Sequence, residues 1–366
     1  MAAEKVLVEY AEVYRAKKHF AAWPANYGLW TWGGEALVVF ADGRLGSQGD
    51  LHARDRSRNF PPRQARSKDG GRSWSVEDFQ GCIPGGENLS ADEHVVKHLQ
   101  SGPRLRGRRF KQLMSPIEFL DPESIFLEAR TGLGKDARSW FYVSRSRGAS
   151  WDGPFDFNGL ELDGLATRTD IVPVSSDHAL FMMTCSKPDG EEGRIVCVET
   201  VDGGRSFHAK CWLPYESDSY SIMPSSIQLK DGSIFTVVRR GRGTNENGWL
   251  EAFKSDDLGA SWHPMGRPVH NTGRGGNPPS LSLLPDGRVV LVYGARIEPY
   301  GIRMKLSHDA GESWSEEVIV GIEAPLPDLG YPRSALLRDG SLLIVYYTNQ
   351  GAERFIASAV VRWPSG

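Results

Sequence analysis

One eight-residue pattern occurs five times along the chain: "SKDGGRSW" (67–74), "SRSRGASW" (144–151), "TVDGGRSF" (200–207), "SDDLGASW" (255–262) and "SHDAGESW" (307–314). It reads Ser/Thr-x-Asp-x-Gly-x-Ser-aromatic. The last three copies end at Phe207, Trp262 and Trp314, 55 and 52 residues apart. Self-similarity at such a period is the mark of a repeat architecture, in which each repeat is one supersecondary unit. Each copy reads as a hairpin turn. The Asp carboxylate accepts turn N–H groups, the Gly supplies a positive φ, and the aromatic packs beneath. The second copy has Ser146 in place of Asp, which predicts a weaker turn.

An earlier hairpin accompanies the pattern: "MPSSIQLKDGSIFTVVRR" (223–240), "NPPSLSLLPDGRVVLVYG" (277–294) and "YPRSALLRDGSLLIVYY" (331–347). Two strands, a link and a second hairpin make a four-stranded blade. The pattern resembles the Asp-box repeat of the sialidase-like β-propellers, over nearly the whole chain. The resemblance implies an all-β, six-bladed propeller in a single domain spanning 1–366. The blades fall at 25–80, 112–156, 166–214, 221–266 and 277–320, with a sixth at 331–363. The sixth lacks an Asp box and carries three strands, so "VLVEYAEVY" (6–14) is expected to supply its fourth and close the ring, leaving no open sheet edge. Residues 86–110, with a short helix in "ADEHVVKHL" and a basic loop in "RLRGRRF", are surplus to the repeat.

Composition narrows the function. The net charge is −3 and the pI about 6.3, which gives no basic footprint for nucleic acid. No apolar run approaches membrane-spanning length. The N-terminal stretch lacks a basic segment followed by an apolar one, so no leader is expected in this sequence. Cys82, Cys185, Cys197 and Cys211 have no metal-ligand spacing. Cys185 and Cys197 flank one hairpin as potential cross-strand neighbours, and are expected as buried thiols. No metal or organic cofactor is implied, and the expected partner is an acidic glycan.

Strand direction sorts the side chains. In an up-and-down blade the Asp-Gly turn and the Asp-box turn share one end. The start of strand one and the finish of strand two share the other. That other end gathers Tyr331, Arg333, Tyr347, Arg130, Arg239, Arg240, Tyr293 and Arg296. Loops carrying Arg44, Asp50, His52, Glu192 and Arg194 also emerge there. A mouth of arginines and tyrosines suits an anionic ligand, because planar guanidinium groups match carboxylates bidentately.

The resemblance assigns roles within this set. "ALVVFADGRLGSQGD" is similar to the sialidase stretch in which an Arg follows strand two and a catalytic Asp lies a few residues on, which points to Arg44 and Asp50. Arg239 corresponds to a second carboxylate-binding Arg, and Arg296 or Arg303 to the third. Tyr331 opens the last blade where the family keeps its nucleophilic Tyr, a replacement for the usual carboxylate pair of glycosidases. Flanking cations would lower its pKa. Two departures stand out. "WPANYGLWTW" has no arginine where the family opens on aromatic-Arg-Ile-Pro. Ser225 and Ser226 occupy the place of the Glu that activates the Tyr, with Glu192 as a substitute. "GDLHARD" adds His52 and Asp55. Some sialidase-like propellers use a histidine on acidic polysaccharides, by hydrolysis or β-elimination beside a uronate. The candidate catalytic residues are thus Tyr331, Asp50 and His52. The candidate substrate-binding residues are Arg44, Arg168, Arg239, Arg296, Arg333, Glu192 and Tyr347. The expected activity is exo-acting hydrolysis of an acidic glycan. The alternatives are elimination through His52, or glycan binding without catalysis.

Overall fold

A computed structural model describes residues 5–47, 51–55, 57–58, 60–79 and 110–364. The chain is all-β, a propeller arrangement with blades of four antiparallel strands. Three sheets have four strands each, beginning at Ile171–Pro173, Tyr220–Gln228 and Pro279–Leu283. A further sheet has three strands, Ile125–Thr131, Arg138–Ser144 and Asp152–Phe155. The strands of the first and last repeats do not separate into two sheets, as six independent blades would require. They form one nine-stranded sheet, because His19–Ala22 pairs antiparallel with Glu35–Arg44 on one side and parallel with Glu353–Arg362 on the other. Leu7–Tyr14 pairs antiparallel with Glu353–Arg362, with Leu7 opposite Arg362 and Tyr14 opposite Ile356. The basic loop and the short helix expected within 86–110, and Cys82, lie outside the described residues.

The repeated turns explain each position of the pattern. Asp202 Oδ1 accepts the N–H groups of Arg205 (2.9 Å) and Ser206 (3.0 Å), while Oδ2 accepts the Ser206 hydroxyl at 2.6 Å. Asp69, Asp257 and Asp309 make the same bonds to Ser73, Ser261 and Ser313. At Asp69, the hydroxyl and N–H of Ser73 pull the carboxyl down to about 2. The opening Ser or Thr also has a task. Its hydroxyl accepts the N–H of the pattern glycine in all five copies, at 2.7–3.0 Å. That glycine has φ between 77° and 95°, where a side chain is disfavoured. Ser146 keeps a reduced version, accepting the Ser150 N–H at 3.1 Å.

The core lies between the sheets. Phe126, Phe141, Phe157, Phe181 and Phe207 interlock in one cluster, with Phe126 stacked on Phe141 at 4.6 Å. Cys185, Cys197 and Cys211 are free thiols. Cys197 lies opposite Cys211, whereas Cys185 lies opposite Arg194, so the expected Cys185–Cys197 neighbourhood is not formed. Burial pushes both Cys185 and Cys197 up to about 12. At the mouth end, Gly330 sits opposite Tyr347 and Ile222 opposite Arg239, which gathers strand starts and strand finishes around one cavity.

Candidate functional site

That cavity has a volume of about 630 Å3. Arg54, Arg130, Arg168, Arg239 and Arg274 line it, against two carboxylates, Glu191 and Glu192. Trp23, Tyr220, His52 and Tyr331 supply the aromatic surface.

Tyr331 is held in an unusual backbone state. Its φ is 50°, a left-handed conformation that costs a non-glycine residue about 1–3 kcal/mol. The strand pairing shifts register between Gly330 and Arg333. The Tyr331 N–H donates to Asn277 Oδ1 at 3.0 Å, which fixes the distortion. Gly330 permits it: a Cβ there would lie 2.0 Å from the same Asn277 oxygen. The same device recurs at Met223, with φ 51° and a register shift between Ile222 and Ser225. Both residues precede a proline.

The phenol of Tyr331 faces cations. Arg239 Nη1 donates to Tyr331 Oη at 3.0 Å. The guanidinium carbons of Arg239 and Arg296 stand 5.7 and 5.8 Å from the Tyr331 ring centroid. Burial pushes the phenol up, but the charges of Arg239 and Arg296, the Arg239 hydrogen bond and the charge of Arg168 outweigh it. Tyr331 is held below the ordinary phenol range. Arg239 itself is buried and meets the Gly275 carbonyl, Met223 and Tyr331, with no carboxylate partner among the described residues. Arg296 donates to the Gly276 carbonyl at 2.6 Å and to Tyr347 Oη at 3.4 Å. Arg168 Nη1 pairs with Glu192 at 2.5 Å and with the Ala166 carbonyl at 2.8 Å.

A second group stands across from Tyr331. The His52 ring lies 6.0 Å from the Tyr331 ring, edge-on. Its Nδ1 is 2.9 Å from Asp328 Oδ1. Asp328 also accepts the Tyr347 hydroxyl (3.0 Å), the Ala53 N–H (3.0 Å) and Arg354 Nε (2.7 Å). Burial pushes the Asp328 carboxyl up, but His52, Arg354 and the Ala53 N–H hold it well below the usual carboxylate range. Burial takes His52 down to about 4 despite the Asp328 carboxylate, so the imidazole is neutral at neutral pH. Burial and the Asp328 charge raise Tyr347 well above the ordinary phenol value, so it serves as a donor.

The expected residues divide accordingly. Tyr331, His52, Arg168, Arg239 and Glu192 come together on the cavity wall, and Arg296 and Tyr347 stand directly behind it. Arg303 turns away to Glu317. Arg333 does not join them. Two residues apart on a regular strand, Tyr331 and Arg333 would share a face; the register shift sends them apart. Arg333 instead donates to the Thr169 and Ala25 carbonyls, facing the buried acids Asp170 and Glu128. Arg44 is exposed and lies 2.6 Å from His19 Nε2, because His19–Ala22 pairs alongside and draws it outward. Asp50 lies outside the described residues. Asp328, Asn277, Arg54 and Trp23 were missed. Asp328 stands three residues before Tyr331 in "DLGYPRS", and an acidic residue that close to a candidate site residue was the available signal.

No protein-family model matches the sequence, and the search of curated proteins returns no match. Solved structures do match. A protein of unknown function from Dyadobacter fermentans superposes with a TM-score of 0.71 at 19% identity, covering 98% of this chain and 99% of that one. A Trypanosoma rangeli sialidase in complex with 2,3-difluorosialic acid gives 0.61 at 10% identity, over 98% of this chain and 59% of that one. The fold is similar to that of this sialidase. An alpha-L-arabinanase from Penicillium chrysogenum, complexed with arabinobiose, gives 0.60 at 15% identity over 98% of both chains. At these identities the likeness is one of fold. One fold can host different chemistries, so the side chains of the cavity decide the functional question.

Proposed function

We propose that this propeller is a carbohydrate-active enzyme that acts on an acidic sugar unit, with Tyr331 as its nucleophile. One observation carries the reading: the buried Arg239 guanidinium meets the Tyr331 phenol and no carboxylate among the described residues. A buried charge with no counter-ion is costly, and an anionic ligand would supply the counter-ion. In hydrolysis, Tyr331 attacks as the phenolate, its proton already lost to solvent, and the Oη–C bond to the anomeric carbon forms as the glycosidic C–O bond breaks. An acid protonates the leaving oxygen, and water then releases the sugar. Arg239 and Arg168 on the cavity wall are the proposed carboxylate anchors, supported by the charge of Arg296 behind them, and Asp50 is the proposed acid. The same reading takes the five turns as Asp boxes and the ring as six blades. The nine-stranded sheet then counts as two blades joined through His19–Ala22, with Leu7–Tyr14 completing the last.

The neutral imidazole of His52 favours a second reading, β-elimination beside a uronate. His52 would take the C5 proton as the C4–O bond breaks, leaving a C4=C5 double bond, with Tyr331 protonating the leaving oxygen. A panel of matched acidic and neutral glycans, scored for new reducing ends and for unsaturated-uronate absorbance, separates the readings. Reducing ends from acidic substrates alone are expected. Unsaturated products would install the elimination reading. Equal action on neutral partners would remove the acidic specificity. Binding of acidic glycans without turnover would leave a glycan-binding propeller.

A further inference from the structure

Asp328 does not line the cavity, yet it is the most fully engaged acceptor beside it. Oδ1 takes His52 Nδ1 at 2.9 Å and Tyr347 Oη at 3.0 Å, and Oδ2 takes the Ala53 N–H at 3.0 Å and Arg354 Nε at 2.7 Å. Two donors on each oxygen fill its acceptor positions. The loop that carries it is pinned by Asn349, whose side chain donates to the Leu326 and Asp328 carbonyls at 2.8 and 3.0 Å and accepts the Leu326 N–H at 3.1 Å. Arg354, 2% exposed, is its buried counter-charge. An ionised carboxylate has no proton to give, so the proton on the 2.9 Å bond belongs to His52 Nδ1. Neutral imidazole carries one N–H. Nε2 is then left with its lone pair, on a ring that lines the cavity beside Tyr331. Among the described residues Nε2 has no hydrogen-bond partner.

We propose that Asp328 is a positioning residue that locks His52 in the Nδ1–H tautomer and so presents Nε2 to the cavity as a proton acceptor. This rests on the reading of the cavity as a reaction site. Around the ring stand Asp328, Tyr347, Tyr331, Arg296 and Arg54, with Phe20 and Trp23 closing its edges. Asp328 is the one carboxylate in that set. A purely architectural Asp328 would tie the 51–55 loop to the last repeat and would be indifferent to which nitrogen bears the proton.

The test reads the tautomer directly. Protein labelled with 15N-histidine is examined at pH 7 by two-bond nitrogen–proton correlation, and His52→Gln identifies the His52 signals among the nine histidines. A protonated Nδ1 and an unprotonated Nε2 are expected. In Asp328→Asn the amide can donate to Nδ1, so the proton is expected to move to Nε2. Where turnover runs by the elimination in which His52 takes the C5 proton, it should fall by about 100-fold or more with KM little changed. An Nε2–H tautomer or an imidazolium in the unaltered protein would overturn the proposal. So would an Asp328→Asn variant that keeps the Nδ1–H tautomer or forms unsaturated uronates undiminished. Should that variant fail to fold, the spectrum of the unaltered protein decides alone. If no acidic glycan is turned over, the functional reading fails while the spectrum still tests Asp328.

Discussion

Tyr331→Phe is expected to lower turnover of an acidic glycan by about 1,000-fold, within the range general acid–base groups and nucleophiles supply. The variant removes one oxygen and keeps the ring, its contacts with Trp23, His52 and Tyr347, and the Asn277 bond to the backbone. The structural cost is one hydrogen bond from Arg239, which retains the Gly275 carbonyl, so about 1–2 kcal/mol is expected. The measurement is kcat and KM together with the thermal midpoint. A fall in kcat with KM and midpoint nearly held assigns the oxygen to the reaction, because a group acting only in the transition state moves kcat and kcat/KM equally. Undiminished turnover would reduce Tyr331 to a packing residue.

Arg239→Met is expected to cost binding far more than folding. The guanidinium is buried and faces the Tyr331 and Tyr220 phenols and no carboxylate among the described residues, so its desolvation penalty is offset without a full counter-ion. Replacing it with an apolar chain of similar length leaves the Gly275 carbonyl without its donor, and relieves that penalty. The net stability change is expected to be about 1 kcal/mol or less. Affinity for an acidic sugar should fall by about 2–5 kcal/mol, the cost of truncating one partner of a buried charge pair. Affinity for the matched neutral sugar should hardly move. Calorimetric titration of the two sugars against both proteins measures the difference. A parallel loss for both would mean that Arg239 shapes the cavity without reading charge.

How far the site was legible in the sequence follows from the range of its contacts. The turns at Asp69, Asp202, Asp257 and Asp309 are local, closing within four residues, so pattern and chemistry coincide there. The gathering of Tyr331, Arg239 and Arg296 followed from strand direction alone, since every blade start and second-strand finish lies at one end. Arg333 was misassigned because strand direction fixes the end of the blade a residue occupies and not the face it takes, and the register shift after Gly330 turns it from the cavity. The left-handed φ of Tyr331 is a backbone event that no residue-type preference announces. Asp328 escaped for a different reason. His52 and Asp328 are 276 residues apart, and they meet because the first and last repeats share one sheet. Arg44 turned outward through the short strand His19–Ala22, which the blade template does not contain.

The central claim is an arginine-activated phenol in the cavity, and its ionisation can be observed directly. The ultraviolet difference spectrum between the unaltered protein and Tyr331→Phe isolates the phenolate absorbance of Tyr331 from the ten other tyrosines as pH is raised. Arg239, Arg296 and Arg168 should set the midpoint below the ordinary phenol value of about 10. A midpoint above that value would mean that burial outweighs the arginines, and Tyr331 would then be no nucleophile at neutral pH.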